Sequence, residues 1–260
     1  MNRPFLASLY APNTPRTFSD TDLLKLIAAL CMLVDHVGKM FFPKYTFLRC
    51  IGRSAFPLYG YCLAVGATRT AHPFRYLSRI ISLALLSQPL YALGLAHETP
   101  AMYAVPFRAS PLRSLITFYL ASWHKPSILL TLALALAILL LMRQRQFVLA
   151  LAVYVFCERA APFLDYGIQG IRFILLCSLC LEHLWLYLPA VLCFWLSWSL
   201  EGIGYSFAGH DFGMRIFALP AVSLTTMPLK SRCGIRIPKW ISYGFYPAHL
   251  AVLALLTHLE

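Results

Sequence analysis

Three ionisable side chains interrupt one strongly apolar run near the amino terminus. In DLLKLIAALCMLVDHVGKMFF, Lys25, Asp35 and His36 lie in a run long and apolar enough to cross a bilayer as a helix. A charged side chain at mid-bilayer costs about 2.5–3.5 kcal/mol on insertion scales, so each one needs a partner, a cavity or a function. Imidazole suits acid–base catalysis near neutral pH, and lysine suits phosphate groups. The run therefore predicts a functional site inside a membrane helix.

The spacing within this run places Lys25 and His36 on one face of the helix. They are eleven residues apart, which is close to three turns and roughly 16 Å along the axis. A ligand lying along that face would meet a cation at one end and an imidazole at the other. Asp35 points about 100° away and does not orient the ring of His36, so we expect it to pair with Arg53 of the next apolar run. In the alternative, purely structural interpretation, Lys25 snorkels to the interface and His36 is a polar core group.

Polar side chains also recur near the ends of later apolar runs. Ionisable groups inside a membrane are functional candidates by default, and arginine binds phosphate through paired donors. The set comprises Arg75 and Arg79 in FRYLSRI, Gln88 before Pro89, Asp165 in FLDYGIQG, Arg172, and His249 in YGFYPAHLAVLALL.

The composition is that of a membrane protein. Of the 260 residues, 60% are apolar and 12% are charged, against about 45–50% and about 25% in a soluble domain, which excludes a soluble single domain. The mean hydropathy is +0.68. We predict an all-α, polytopic bundle of about eight or nine transmembrane helices. Its apolar runs lie near residues 22–42, 47–67, 76–95, 127–142, 146–157, 168–181, 183–200, 215–229 and 240–258.

The chain is predicted to form one domain, residues 22–260, after a cytoplasmic tail of residues 1–21. Neither an internal repeat nor a shift in composition marks a second domain. The formal charge is +12, and in a membrane protein such cations orient the helices or bind anionic ligands rather than nucleic acid. More Lys and Arg fall on the cytoplasmic side if the amino terminus is placed there, so we expect that orientation.

The cysteines indicate packing rather than metal or redox chemistry. Most of the eight cysteines lie inside apolar runs, where thiols pack as small hydrophobes. Cys177 and Cys180 form a C-x-x-C motif, but no second pair follows at zinc spacing. We therefore expect no metal, and the sequence leaves the oligomeric state open.

Several segments, taken in order along the chain, resemble the TraX family of inner-membrane proteins. They are LKLIAALCMLVDHVGKMFF, RCIGRSAFPLYGYCLAVG, YLSRIISLALLSQPLY, DYGIQG and YGFYPAHL, and the resemblance covers most of the chain. The family is named for the protein that acetylates the amino terminus of conjugative pilin, and it looks like part of a wider group of transmembrane acyltransferases. In that group a basic residue, ten intervening residues and a histidine mark the first catalytic helix. Lys25 and His36 match this pattern.

The resemblance implies a bacterial inner-membrane enzyme that uses acetyl-CoA as its acyl donor. It implies that His36 is the catalytic imidazole and that Asp35 forms the catalytic Asp-His pair with it. It also implies that Lys25, Arg53 and Arg79 lie near the CoA phosphates or in supporting ion pairs. The implied substrate-binding or supporting residues are Gln88, Asp165 and His249.

The acceptor implied by the resemblance is the N-terminal amine of a pilin or of another small envelope polypeptide. The chain departs from the family in one helix, where Ser127 stands in place of the Asn that often precedes Thr-Leu. Other interpretations remain open from the residues alone. An envelope glycan or lipid would serve as an acceptor, a proton-coupled transporter would also bury Lys, Asp and His, and a non-catalytic assembly factor would use the charges to fix partner helices.

Overall fold

The described part of the chain is almost entirely helical, which confirms the predicted all-α class. The computed structural model describes residues 21–181, 184–200, 205–207, 210–225 and 237–259. Its α-helices are α1 Thr21–Met40, α2 Thr46–Gly52, α3 Ala55–Arg69, α4 Pro73–Gly94, α5 Pro111–Ser122, α6 Ile128–Arg143, α7 Phe147–Ala160, α8 Gly167–Cys180, α9 Leu184–Leu200, α10 Leu219–Leu224 and α11 Lys239–Leu259. Single 3-10 turns occupy Pro100–Tyr103, Ala161–Phe163 and Met214–Ala218.

A small antiparallel hairpin is a feature that the sequence did not predict. It pairs β1 Tyr205–Phe207 with β2 His210–Phe212, and Ser206 lies opposite Asp211. Residues 1–20 of the predicted tail and residues 226–229 of one apolar run lie outside the described residues.

The apolar runs become helices, but one run is divided. The run near residues 47–67 forms both α2 and α3, which are separated at Arg53 and Ser54. Pro57 explains the break because it has no N–H to donate to the carbonyl of Arg53. It lies in the first turn of α3, where N–H groups need no partner within the helix. The division leaves Arg53 in a short turn instead of in the middle of a straight helix.

The helices indicate a membrane protein. Among the described residues, Pro73–Gly94 and Trp240–Leu259 have the length and hydropathy to cross a bilayer, fewer than the predicted eight or nine helices. Shorter apolar segments accompany them at Ile128–Arg143, Gly167–Cys180, Leu188–Leu200 and Met214–Leu224. Large apolar side chains also cover the outside of the bundle, with Leu86 72% and Val148 85% exposed. Extended apolar surface of this kind requires lipid or a partner.

Contacts between helix ends define the directions of the helices. Arg143 at the end of α6 donates hydrogen bonds to the carbonyls of Ala67 and Thr70 at the end of α3. Lys39 near the end of α1 donates to the carbonyl of Leu95, just after α4. Glu98, after α4, pairs with His258 at the end of α11. Consequently α1, α4 and α11 run in one direction, and we call the two ends of the bundle the Lys25 end and the Lys39 end.

The buried face of α1 follows the helical repeat. Leu24, Ala28, Met32 and His36 are buried, and their spacing of four residues forms a single stripe. The apolar core to which this stripe belongs contains fully buried side chains from α3, α6, α8, α9 and α11. The largest of them include Leu58, Leu136, Ile171, Phe173, Trp195 and Leu250.

Helices α4 and α11 approach closely at a glycine. A Cβ atom added at Gly94 would lie 2.7 Å from the carbonyl oxygen of Leu250, which no real Cβ contact tolerates. Small residues at helix interfaces permit this kind of backbone approach. The contact fixes α11, and with it His249, against α4.

We expect Gly94→Ala to lower the unfolding midpoint in detergent, because the helices must separate at a cost of about 1–3 kcal/mol. Gly244→Ala on α11 is the matched control, since a Cβ there would meet no described atom within 4 Å. That control should keep or raise the midpoint, because alanine favours helix over glycine by about 1 kcal/mol. Equal midpoints for the two variants would contradict the close approach.

Candidate functional site

His36 and His249 form the centre of the candidate site. Nδ1 of His36 lies 2.9 Å from Nε2 of His249, and the two rings stack with their centroids 5.1 Å apart. Both imidazoles are buried, with 9% and 7% of their surface exposed. The first and the last described helices therefore meet at this pair.

Hydrogen-bond partners determine where the protons lie on the two neutral rings. Nδ1 of His249 is 2.9 Å from the carbonyl oxygen of Phe245, which only accepts, so this nitrogen carries a hydrogen and donates it. Nε2 of His249 is then an acceptor, and Nδ1 of His36 donates to it. The assignment follows from the hydrogen-bond network. It leaves the lone pair of His36 on Nε2, where it serves as a base.

The Asp35 carboxylate pairs with arginines and not with the ring of the adjacent His36. Its Oδ1 accepts a hydrogen bond from Nε of Arg49 at 3.0 Å, and a guanidinium nitrogen of Arg53 lies 3.8 Å away. The predicted Arg53 pairing is present, but Arg49 is the closer partner. Arg49 precedes Arg53 by one turn at the α2 break, so both guanidiniums reach α1. Gly52 packs directly against the Asp35 side chain and leaves no space there for a Cβ.

A cavity of about 710 Å³ lies beside α1, within the range of about 300–1,000 Å³ typical of ligand sites. Lys25, His36 and Lys39 all line it, so it follows roughly 21 Å of the helix. His249 lies outside the cavity wall and contacts His36 from behind. Cations dominate the lining: Lys25, Lys39, Arg49, Arg53, Arg69, Arg75, Arg79 and Lys125 face Asp22, Asp35 and Asp165.

The Lys25 end of the cavity is an open cationic mouth. Arg69, Arg75 and Arg79 line it with exposed side chains. Nζ of Lys25 donates to Oδ1 of Asp22 at 3.0 Å, so part of its charge is already balanced. Of the residues predicted near phosphates, Lys25 and Arg79 lie at this mouth, whereas Arg53 lies deeper in a supporting ion pair.

The Lys39 end of the cavity carries a different set of charges. Nζ of Lys39 donates to the carbonyl of Leu95 at 2.8 Å and to Nε2 of His97 at 2.9 Å. Burial, followed by the nearby Lys39, lowers the pKa of His97 to about 3, so its ring is neutral and accepts that hydrogen. Lys125 and Asp165 also line this end and are exposed.

Aromatic packing and a glycine place Asp165 in the cavity wall. The rings of Phe56 and Tyr166 stack with centroids 4.0 Å apart, which fixes the loop before α8 against α3. Gly167 then adopts a φ of 55°, a left-handed conformation that favours glycine. Although Asp165 opens to the cavity, desolvation by the surrounding protein raises the pKa of its carboxyl, against the opposing effect of Arg53.

Gln88 supports the site from behind. It is fully buried, and its Nε2 donates to the carbonyls of Ser122 at 2.7 Å and Lys125 at 3.0 Å. Its Oε1 accepts from the amide of Ser127 at 3.0 Å. Gln88 therefore anchors the loop that presents Lys125 to the cavity. Ser127, the departure from the family pattern, takes part through its backbone.

The comparisons with known proteins agree with the resemblance seen in the sequence. The TraX protein family matches residues 20–257. The chain belongs to the TraX family. A curated relative, the probable fimbrial assembly protein FimC, serogroup H1, of Dichelobacter nodosus, is 27% identical over 253 residues, covering 88% of this chain and 92% of that protein. An uncharacterized protein of Rickettsia prowazekii (strain Madrid E) is 45% identical over 38 residues, 15% of each chain. No solved structure matches the chain.

In this TraX-family chain, the structure brings most of the predicted residues to one cavity. Arg172, by contrast, lies away from it and pairs with Glu158 at 2.6 Å. Sequence reasoning missed several cavity-lining groups, among them Lys39, Arg49, Arg69, His97 and Lys125.

Two of the missed groups carried a local signal. Lys39 lies three residues after His36 on α1, close to one turn away. Arg49 precedes Arg53 by four residues, so both reach the same side of a helix. His97 lies in the loop before α5 and Lys125 in the loop after it. In loops, the spacing between residues carries no such information.

The described residues contain no group of three or more His, Cys, Asp or Glu side chains that would hold a metal ion. Cys177 and Cys180 are buried without a disulfide. Both lie in the apolar core beside α9, in agreement with the packing interpretation.

The contacts of Asp35 predict strong energetic coupling to Arg49. We expect a double-mutant cycle of Asp35→Asn and Arg49→Gln to give a coupling of about 1–3 kcal/mol in the free energy of unfolding, because the two groups share a partly buried ion pair. Denaturant titration in detergent measures it. The control cycle combines Asp35→Asn with Arg159→Gln. Arg159 is exposed and lies outside the cavity, so this cycle should give a coupling near zero. Equal coupling in the two cycles would contradict the assignment.

Proposed function

We propose that this chain is an integral membrane acyltransferase. It transfers an acetyl group from acetyl-CoA to an envelope acceptor, preferably the N-terminal amine of a pilin. The observation that carries the proposal is His36, which lies in the cavity wall with its Nε2 lone pair available and its Nδ1 held by His249. A cationic mouth at the far end of the same cavity gives the donor a place to bind.

The membrane arrangement that fits this function is multi-pass, in the bacterial inner membrane, with a cytoplasmic amino terminus. Two lines of support exist for multiple crossings. Helices α3 and α6 end on one side of the bundle and α1, α4 and α11 on the other, and apolar side chains cover the outer faces, as at Leu151 and Phe156 of α7. The polar groups instead face the central cavity, which is the distribution that lipid imposes.

The charge distribution favours a polyanionic donor that enters at the Lys25 end. Arginine forms paired hydrogen bonds with phosphate, and Arg69, Arg75 and Arg79 all open into that mouth. His36 lies about 16 Å deeper along α1. A donor with phosphates at one end and a thioester at the other matches this separation. With the Lys25 end in the cytoplasm, a cytosolic donor would meet an acceptor arriving from the Lys39 end.

The chemistry follows from the proton positions. The acceptor nitrogen attacks the thioester carbonyl carbon, and Nε2 of His36 takes the proton that the nitrogen loses. The C–S bond then breaks, and the departing thiolate takes that proton from His36. The products are an acetylated amine and the CoA thiol, with no net redox change. Because His249 holds Nδ1 of His36, Nε2 is the nitrogen that takes and then returns the proton.

The proposed class of acceptor is supported by membership of the TraX family and by the name of one relative. The Dichelobacter relative is a probable fimbrial assembly protein, and this name supports an acceptor that belongs to a pilus or fimbria. A hydroxyl of an envelope glycan or lipid would use the same base and the same donor.

A second candidate is a proton-coupled transporter. The observation in its favour is that exposed charged side chains line the cavity at both ends, Arg79 at one and Lys125 at the other. A carrier needs no donor thioester, so acetyl-CoA binding separates the two candidates.

The base assignment predicts a specific kinetic loss in His36→Ala. We expect CoA-thiol release by the detergent-purified protein to fall by about 10²–10⁴-fold, the usual contribution of a general base. Acetyl-CoA affinity, measured by calorimetry, should stay within about twofold, because the base lies away from the cationic mouth.

Arg79→Ala provides the complementary variant. It should weaken acetyl-CoA binding about tenfold, which corresponds to 1.4 kcal/mol, and should leave the maximal rate unchanged. Arg159→Ala, an exposed arginine outside the cavity, is the control and should change neither. If the parent protein binds no acetyl-CoA at about 1 mM, the acyltransferase proposal fails and the transporter is favoured.

The hydrogen bond between His36 and His249 predicts a separate kinetic effect of substitutions at His249. His249→Phe removes the acceptor for Nδ1 of His36 and frees that ring, so we expect the maximal rate to fall about 10²-fold with little change in KM. His249→Gln keeps an acceptor oxygen on the side chain and should recover part of the rate. Equal rates for the phenylalanine and glutamine variants would contradict a positioning role.

A further inference from the structure

Tyrosines line the cavity between the cationic mouth and His36. Tyr59 of α3, Tyr76 of α4 and Tyr243 of α11 all contribute to its wall. Their hydroxyls hydrogen-bond no other described residue, and they are not sealed from the cavity by surrounding atoms. Each therefore offers a donor and an acceptor to whatever fills this space.

The three tyrosines lie at different depths in the cavity, as their positions along the helices indicate. Tyr76 lies one turn after the start of α4 and Tyr243 one turn after the start of α11, both at the Lys25 end. Both line the same cavity. Tyr59 lies ten residues before Arg69, the last residue of α3, which places it about 15 Å deeper than that end. The three rings therefore cover the passage that leads to His36.

The hydroxyls need partners because of their surroundings. A hydroxyl taken from water into an apolar environment without a hydrogen bond costs about 1–3 kcal/mol by protein measurements. Buried polar groups are therefore nearly always satisfied by protein, water or ligand. Phenylalanine would line an apolar passage equally well at a lower cost. Tyrosine at all three positions points to a ligand whose middle section carries polar groups.

We propose that Tyr59, Tyr76 and Tyr243 form the binding subsite for the amide-bearing arm of the acyl donor. The proposal rests on the acyltransferase function above and deepens it. The donor arm carries two amides between its phosphates and its thioester. Its carbonyls accept hydrogen bonds from tyrosine hydroxyls, and its N–H groups donate to the same oxygens. The cationic mouth then binds the phosphates, the tyrosines bind the arm, and His36 meets the thioester.

Tyr76 is also positioned by a close contact with α3. A Cβ added at Gly66 would lie 2.8 Å from the Tyr76 hydroxyl. The ring therefore lies directly on the glycine, and a larger residue there displaces the hydroxyl without removing it. Gly66→Ala is thus an indirect way to disturb the same subsite.

Truncated donors test the assignment. The three substrates are acetyl-CoA, S-acetylpantetheine, which keeps both amides but lacks the nucleotide, and S-acetylmercaptoethanol, which lacks the amides as well. We expect each tyrosine-to-phenylalanine variant to raise KM about three- to tenfold for the first two, as loss of one hydrogen bond requires. KM for S-acetylmercaptoethanol should not change. Gly66→Ala should behave like Tyr76→Phe.

Control variants separate the parts of the site. Arg79→Ala should raise KM for acetyl-CoA alone, and Tyr119→Phe, whose hydroxyl bonds the carbonyl of Leu85 outside the cavity, should change nothing. Equal KM changes for all three donors, or no change for any, would overturn the tyrosine subsite while leaving the acyltransferase intact. Failure of the parent protein to bind acetyl-CoA would instead reject the underlying function.

Discussion

The contact between His36 and His249 is the constraint on which the rest of the site depends. These residues are separated by 213 positions in the chain, so the pair forms only when the first and last described helices meet. Helix α4 makes this meeting possible, because Gly94 lets α11 approach its backbone and Gln88 holds the loop beside the cavity. A single tertiary contact therefore sets both the proton position on His36 and the closure of the bundle around it.

The distribution of charged side chains makes the two ends of the cavity different. At the Lys25 end, the side chains of Arg69, Arg75 and Arg79 are open, and among the described residues Lys25 pairs with Asp22. Deeper in the cavity, Asp35 balances Arg49 and Arg53, and Asp165 lies near Arg53 and Lys125. Unbalanced positive charge therefore concentrates at one end. Because phosphates are attracted to such a site and an uncharged thioester is not, the two ends of a donor are distinguished before any close contact forms.

The sequence allowed the helices and one face of α1 to be predicted, because both depend on local periodicity. Lys25 and His36 share that face, and Asp35 turns away from His36, as the helical repeat requires. The preference of Asp35 for Arg49 was not predictable, because it depends on the helix break before Pro57. The contacts of His36 with His249 and of Lys39 with His97 were equally inaccessible, since they join segments distant in the chain and are set only by packing.

The molecule places its unsatisfied polar groups in the cavity and its apolar groups outside. The Nε of Arg53 is buried without a hydrogen bond among the described residues, and within that part of the chain the hydroxyls of Tyr59, Tyr76 and Tyr243 also have no hydrogen-bond partner. In a lipid environment such groups are costly unless a ligand or water satisfies them. The same arrangement that weakens the empty bundle therefore stabilises an occupied one. A ligand that supplies phosphates, amides and a carbonyl in that order along the cavity is the kind that would satisfy these groups together.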